Sequence, residues 1–134
     1  MEVHYGAIVV AVIASMAFSA LFYFLLNKTI TAARATKLPN KADPRTVTTP
    51  NKLLIDFVRT FALALVVAYL VYWLQLQHLD QAVLIALWLW AGFPVMLFTG
   101  LVIYEHFPVR LAVIHVIDWL VKLLIITNII ILWP

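Results

Sequence analysis

The chain has 134 residues, 66% of them hydrophobic and 11% charged, with a formal net charge of +3 and a mean hydropathy of +1.05. Soluble globular domains run at about 45–50% apolar and about 25% charged. A fold of this size in water would lack the charge to cover its own surface, which excludes a cytosolic enzyme and a disordered protein. The pI of about 9.4 does not point to nucleic acid either, because six of the nine basic residues sit in one short segment. What remains is an integral membrane protein. With no cysteine there is neither a disulfide framework nor a thiolate site.

At roughly 20 residues per helical span, the length allows four spans and leaves no room for a second, soluble domain. Residues 5–26 carry no charge and predict the first span. Glu2 replaces the basic start of a signal peptide, the apolar run is too long for one, and positive charge follows it, so this span reads as retained. Along it Ala7, Ala11, Ser15 and Ser19 recur every four residues. Such a small-residue stripe lets helix backbones approach closely in lipid.

Residues 27–52 form the long polar stretch, with Lys28, Arg34, Lys37, Lys41, Arg45 and Lys52 against Asp43 alone. Pro39, Pro44 and Pro50 with Thr46, Thr48 and Thr49 predict a turn-rich loop. Its start, Thr29 to Arg34, predicts an extension of the first helix along the membrane surface. Thr49-Pro50 marks the entry to the second helix.

The second span is predicted over 53–74, where Ala64 and Ala68 continue the small-residue theme and Asp56 and Arg59, three apart, read as an ion pair. The third is predicted over 81–104. There Pro94 deprives the Trp90 carbonyl of its helical partner, and with Gly92 beside it a kink is expected near the bilayer centre. A freed carbonyl needs a donor where no water exists. Lys122 or Trp119 is the expected donor, gathering Trp90, Gly92, Pro94, Asp118 and Lys122 around a small polar pocket. Gly92 and Gly100, eight apart, are expected at a close helix contact.

The fourth span is predicted over 109–133. His115, Asp118 and Lys122 fall at i, i+3 and i+7, within an arc of roughly 60° on one helix face. Charges inside a span cost roughly 2.5–3.5 kcal/mol each, so Asp56, Arg59, His115, Asp118 and Lys122 are expected to face the bundle interior as one network. His115 is the type of group that changes charge near neutral pH. All four apolar runs are continuous, where a β-barrel would alternate over segments of about 10 residues. The expected fold is an all-α, four-helix transmembrane bundle.

The basic stretch 27–52 faces the cytoplasm by the positive-inside rule, which puts both termini outside. Trp73 and Trp133 fit an outer aromatic belt and Tyr104 an inner one. Cations just inside the membrane contribute about 1 kcal/mol each toward an anionic leaflet, which makes anionic lipid the candidate ligand of that loop, against the favoured reading that these cations only set topology. Glu105, His106 and Arg110 form a polar inner turn, but with His115 they lack the spacing of a metal site. No nucleophile stands beside His115, and neither enzyme activity nor a cofactor is expected.

The run from Ala86 to Pro94, Ala-Leu-Trp-Leu-Trp-Ala-Gly-Phe-Pro, is followed by Gly100, Glu105, Pro108 and Arg110, then by Leu111 to Leu124. Together they resemble the small four-helix bacterial membrane proteins catalogued as domain of unknown function 1761. The resemblance covers essentially the whole chain and is specific from about Trp88 to Leu124. It implies a four-span bacterial inner-membrane protein, brings no substrate or catalytic residue, and marks Glu105, His115, Asp118, Trp119 and Lys122 as part of a family pattern. The expected function is that of a homo-oligomeric small transporter or channel. The alternative is an accessory or scaffold subunit of a larger membrane complex.

Overall fold

The computed structural model describes residues 3–37 and 50–133, which are helical and contain no strand. Six helices follow one another: α1 (Tyr5–Leu25), α2 (Asn27–Lys37), α3 (Pro50–Leu74), α4 (Leu79–Gly92), α5 (Pro94–Tyr104) and α6 (Val109–Leu132). Three helical stretches are long and apolar enough to cross a membrane: Tyr5–Leu25, Leu53–Leu74, and α4 with α5 taken together over Leu79–Tyr104. The fourth long helix, α6, spans 24 residues and carries Arg110, Asp118 and Lys122.

Two local breaks shape these helices. Leu26, at φ −98° and ψ 12°, turns the chain out of the α1 axis, and Ile30 N–H still donates to the Leu26 carbonyl, so α2 starts at once. That helix extends beyond the expected Thr29–Arg34 because it has something to bury. Ile30, only 2% exposed, packs on Leu111 and Ile114 of α6, with Phe22, Leu26 and Phe107 around them. The second break is at Phe93 (φ −117°, ψ −74°), immediately before Pro94, which opens α5. The proline ring crowds the residue before it, and Phe93 stays in the right-handed helical region at distorted angles, its N–H still donating to the Leu89 carbonyl. Gly92 is not required for the break: its φ is not positive, it is exposed, and a Cβ there would meet nothing within 4 Å.

α6 is the hub of the bundle. It packs against α1, α3, α4, α5 and α2, while α1 also packs on α3. Although α3 and α4 are joined by the short turn at 75–78, they do not pack on each other among the described residues. That turn is held by Gln81, whose side-chain oxygen accepts from the N–H groups of Gln77 (2.9 Å) and His78 (3.2 Å), satisfying donors that a helix start leaves orphaned.

The core is built from Ile8, Ala11 and Val12 of α1, Ala64, Val67, Ala68 and Val71 of α3, Ala86 of α4, and Leu123 and Ile126 of α6. Alanines supply the close approaches, as the stripe on α1 predicts. The glycines of the third stretch do not, since Gly92 and Gly100 both look onto open space. Large apolar side chains such as Phe24, Leu54, Trp88 and Leu97 point outward and are exposed.

Candidate functional site: a polar seam between two helices

α1 and α6 run antiparallel, with Gly6 of one so near the Trp133 ring just past the end of the other that a Cβ added there would lie 3.4 Å from it. On α1, Ser15, Ser19 and Tyr23 are spaced by four, so each is displaced only about 40° from the last around the helix. On α6, His115, Asp118 and Lys122 share a face for the same reason. The two polar stripes meet in the otherwise apolar bundle.

Asp118 is the centre of the seam and only 2% exposed. Ser19 Oγ donates to its Oδ1 at 2.8 Å, and the Tyr23 hydroxyl donates to its Oδ2 at 3.1 Å. Lys122 Nζ lies 3.5 Å from the same Oδ2 and 5.3 Å above the Trp119 ring, a cation–π placement that adds to the pairing. The carboxylate therefore has two hydroxyl donors and a counter-charge, as a buried anion requires.

Tyr23 links two titratable groups. Its oxygen is also 2.6 Å from His115 Nδ1. A phenol owns one proton; with that proton given to Asp118, the bond to His115 is donated by Nδ1–H. The result is a directed chain from His115 through Tyr23 to Asp118. His115 is held for this by rings on three sides. Phe98 stacks nearly parallel to it (10°, 5.4 Å), Tyr23 tilts against it at 5.4 Å, and Phe107 closes in at 6.2 Å. One turn of α1 away from Ser19, Ser15 Oγ is buried and makes no hydrogen bond among the described residues.

The remaining expectations fall out differently. Trp90 contributes through its indole, which donates to the Val116 carbonyl at 2.9 Å and so ties α4 to the backbone of the seam. Among the described residues neither Lys122 nor Trp119 bonds to the Trp90 carbonyl; Trp119 instead lies under the Lys122 ammonium. Pro94 is buried and Gly92 exposed, so the pocket expected around them is not assembled. Asp56 is half-buried and Arg59 exposed, and no ion pair joins them among the described residues. Both act on Tyr23 electrostatically, but Arg59 does not face the interior. Its long stem lets the guanidinium lie outward, so the network is narrower than the charge pattern suggests.

Glu105, His106 and Arg110 are exposed near the start of α6, with His106 in the left-handed region at φ 52°, and they stand apart from the seam. No group of three His, Cys, Asp or Glu that could hold a metal occurs among the described residues. Of the basic stretch, Lys28 is exposed on α2. Arg34 and Lys37 fall on α2 and Lys52 on α3, and Lys41 and Arg45 lie outside the described residues.

Sequence reasoning missed Tyr23 as a site residue and took Ser19 only as a small packing residue. The signal was present in the spacing of Ser15, Ser19 and Tyr23, three hydroxyls on one face of a charge-free helix.

The family model described as "Protein of unknown function (DUF1761)" matches residues 6–131. No curated protein and no solved structure matches the chain.

Proposed function

The chain belongs to the family of domain of unknown function 1761, and from that premise we propose a four-span bacterial inner-membrane protein acting as a small transporter or channel. In this reading α6 is the fourth span, the basic stretch 27–52 faces the cytoplasm, and both termini lie outside. The observation that carries the reading is Asp118. It is an acid buried at 2% exposure, set against Lys122 at 3.5 Å, among helices of membrane-crossing length. Ionisable groups in such places line ion, proton or solute paths. Four helices enclose little room, so the working form is an oligomer. Lys28 and the other cations of the basic stretch meet anionic headgroups.

Proteoliposomes loaded in turn for proton, monovalent-ion and small-solute flux test this. Wild-type vesicles are expected to pass at least one of these above empty vesicles, and Asp118→Asn to lose that flux. Wild type indistinguishable from empty vesicles for all of them would overturn the proposal.

A second reading is a non-enzymatic accessory subunit of a larger complex. It draws on α4 and α5, whose outer face shows Trp88, Phe93, Met96 and Leu97 exposed. It expects partner proteins to co-purify in mild detergent; a clean homomer counts against it.

A further inference from the structure

We propose, resting on the transport reading of the α1–α6 seam, that the species it moves is the proton and that Tyr23 is the obligatory link. The geometry supplies a complete single-file relay. His115 Nδ1 lies 2.6 Å from the Tyr23 oxygen, and that oxygen lies 3.1 Å from Asp118 Oδ2. A proton arriving on the His115 imidazole makes the ring an imidazolium. The Nδ1–H bond then breaks as the proton forms a new O–H bond on Tyr23. In the same event the original Tyr23 O–H bond breaks and its proton forms an O–H bond on Asp118. One proton has entered and one has moved on. Tyr23 is neutral before and after, the imidazolium has become imidazole, and the carboxylate has become a carboxylic acid. The chain resets when Asp118 has passed its proton on, the phenol hydroxyl has rotated back toward Asp118, and the imidazole, left as the Nε2–H tautomer, has lost the Nε2 proton and regained one at Nδ1.

The surroundings suit this task. Phe98, Phe107 and Tyr23 pack around the imidazole, and the Tyr23 hydroxyl bridges it to Asp118. Lys122, at 3.5 Å from Asp118 Oδ2, is the counter-charge beside the carboxylate that receives the proton. Ser19, on the other carboxylate oxygen at 2.8 Å, keeps the acid oriented. Ser15, buried on the same α1 face and without a hydrogen-bond partner among the described residues, is the next hydroxyl along the seam. The other charged groups acting on the relay are Asp56 and Arg59 of α3, which reach it through Tyr23.

The test uses the full chain in vesicles containing a pH-sensitive dye, with a potassium gradient and valinomycin as driving force. Wild type is expected to acidify the lumen. Tyr23→Phe, which keeps the ring and deletes the one shared proton, is expected to lose that flux, while Tyr72→Phe at the other end of the bundle keeps it. Nitrogen-15 NMR of His115 provides a second measurement independent of flux. Nδ1 is expected to carry the proton in wild type, and the neutral ring to shift toward the Nε2–H form in Tyr23→Phe. Undiminished proton flux in a folded Tyr23→Phe, or an unprotonated Nδ1 in wild type, would overturn the relay. Vesicles that pass another solute but no protons would overturn the relay and leave the transport reading intact, whereas no flux of any kind would remove both.

Discussion

Replacing Asp118 by asparagine keeps the shape of the side chain and removes the charge on which the seam is organised. At 3.5 Å from Lys122, the gross attraction is about 5 kcal/mol at an effective dielectric of about 20. Desolvation of both groups offsets much of this, yet breaking a buried pair from one side still costs about 3–5 kcal/mol because the other charge is stranded. Here the stranded group is Lys122, whose side chain is 16% exposed and lies over the Trp119 ring, so some of its solvation is kept. The amide also has one acceptor where the carboxylate had two, so either Ser19 or Tyr23 faces an N–H₂ group. The expected loss is about 2–4 kcal/mol of unfolding free energy. Reversible unfolding in mixed micelles, followed by tryptophan fluorescence, measures it. Lys122→Met combined with Asp118→Asn is expected to recover about 1–3 kcal/mol relative to the sum of the two single variants, since the stranded charge is gone. An Asp118→Asn protein within about 0.5 kcal/mol of wild type, or strictly additive single variants, would refute the ionised pair.

Three further outcomes follow from particular contacts. Ser15→Ala removes a buried hydroxyl that makes no hydrogen bond among the described residues and is expected to stabilise the bundle by about 1 kcal/mol; a destabilised variant in the same micelle assay would show that the hydroxyl has a partner. Trp90→Phe deletes the indole bond to the Val116 carbonyl and is expected to cost about 1 kcal/mol. Amide hydrogen exchange should then quicken in α4 and α5 more than in α1, and uniform exchange would contradict the clamp. Ala86→Leu puts a large side chain at a position with no exposure in the core shared with α6 and is expected to cost about 1–3 kcal/mol through overpacking. A neutral result would mean that α4 is free to shift outward.

What the amino-acid order determined by itself is where the long apolar helices lie, though not the length of α2. The first apolar run, read over 5–26, is the helix Tyr5–Leu25, and the last, read over 109–133, is Val109–Leu132. Pro94 marked the interruption of the third run, and Phe93 before it is where the helix is distorted. These features were readable because hydropathy and proline chemistry act within a few residues of chain. In lipid every backbone group must be satisfied inside its own helix, so a continuous apolar run can do little else. The spacing of His115, Asp118 and Lys122 likewise put them on one face without any tertiary information.

Only the packed structure decided which helix that face meets. Periodicity names a face and leaves its neighbour open, and the neighbour is α1, whose Ser19 and Tyr23 barely disturb its hydropathy. Asp56 and Arg59 show the same limit from the other side. Three apart, they look like a pair, but the rotation of α3 against α1 and α6 leaves Arg59 exposed and Asp56 half-buried. Gly92 and Gly100 suggested a close helix contact, yet α4 and α5 reach α6 through other positions, Ala86 and Trp90 among them. Helix rotation and order in the bundle depend on side chains far apart in the chain. The Ser19 bond to Asp118 spans 99 residues, and no local pattern in either helix could have announced it.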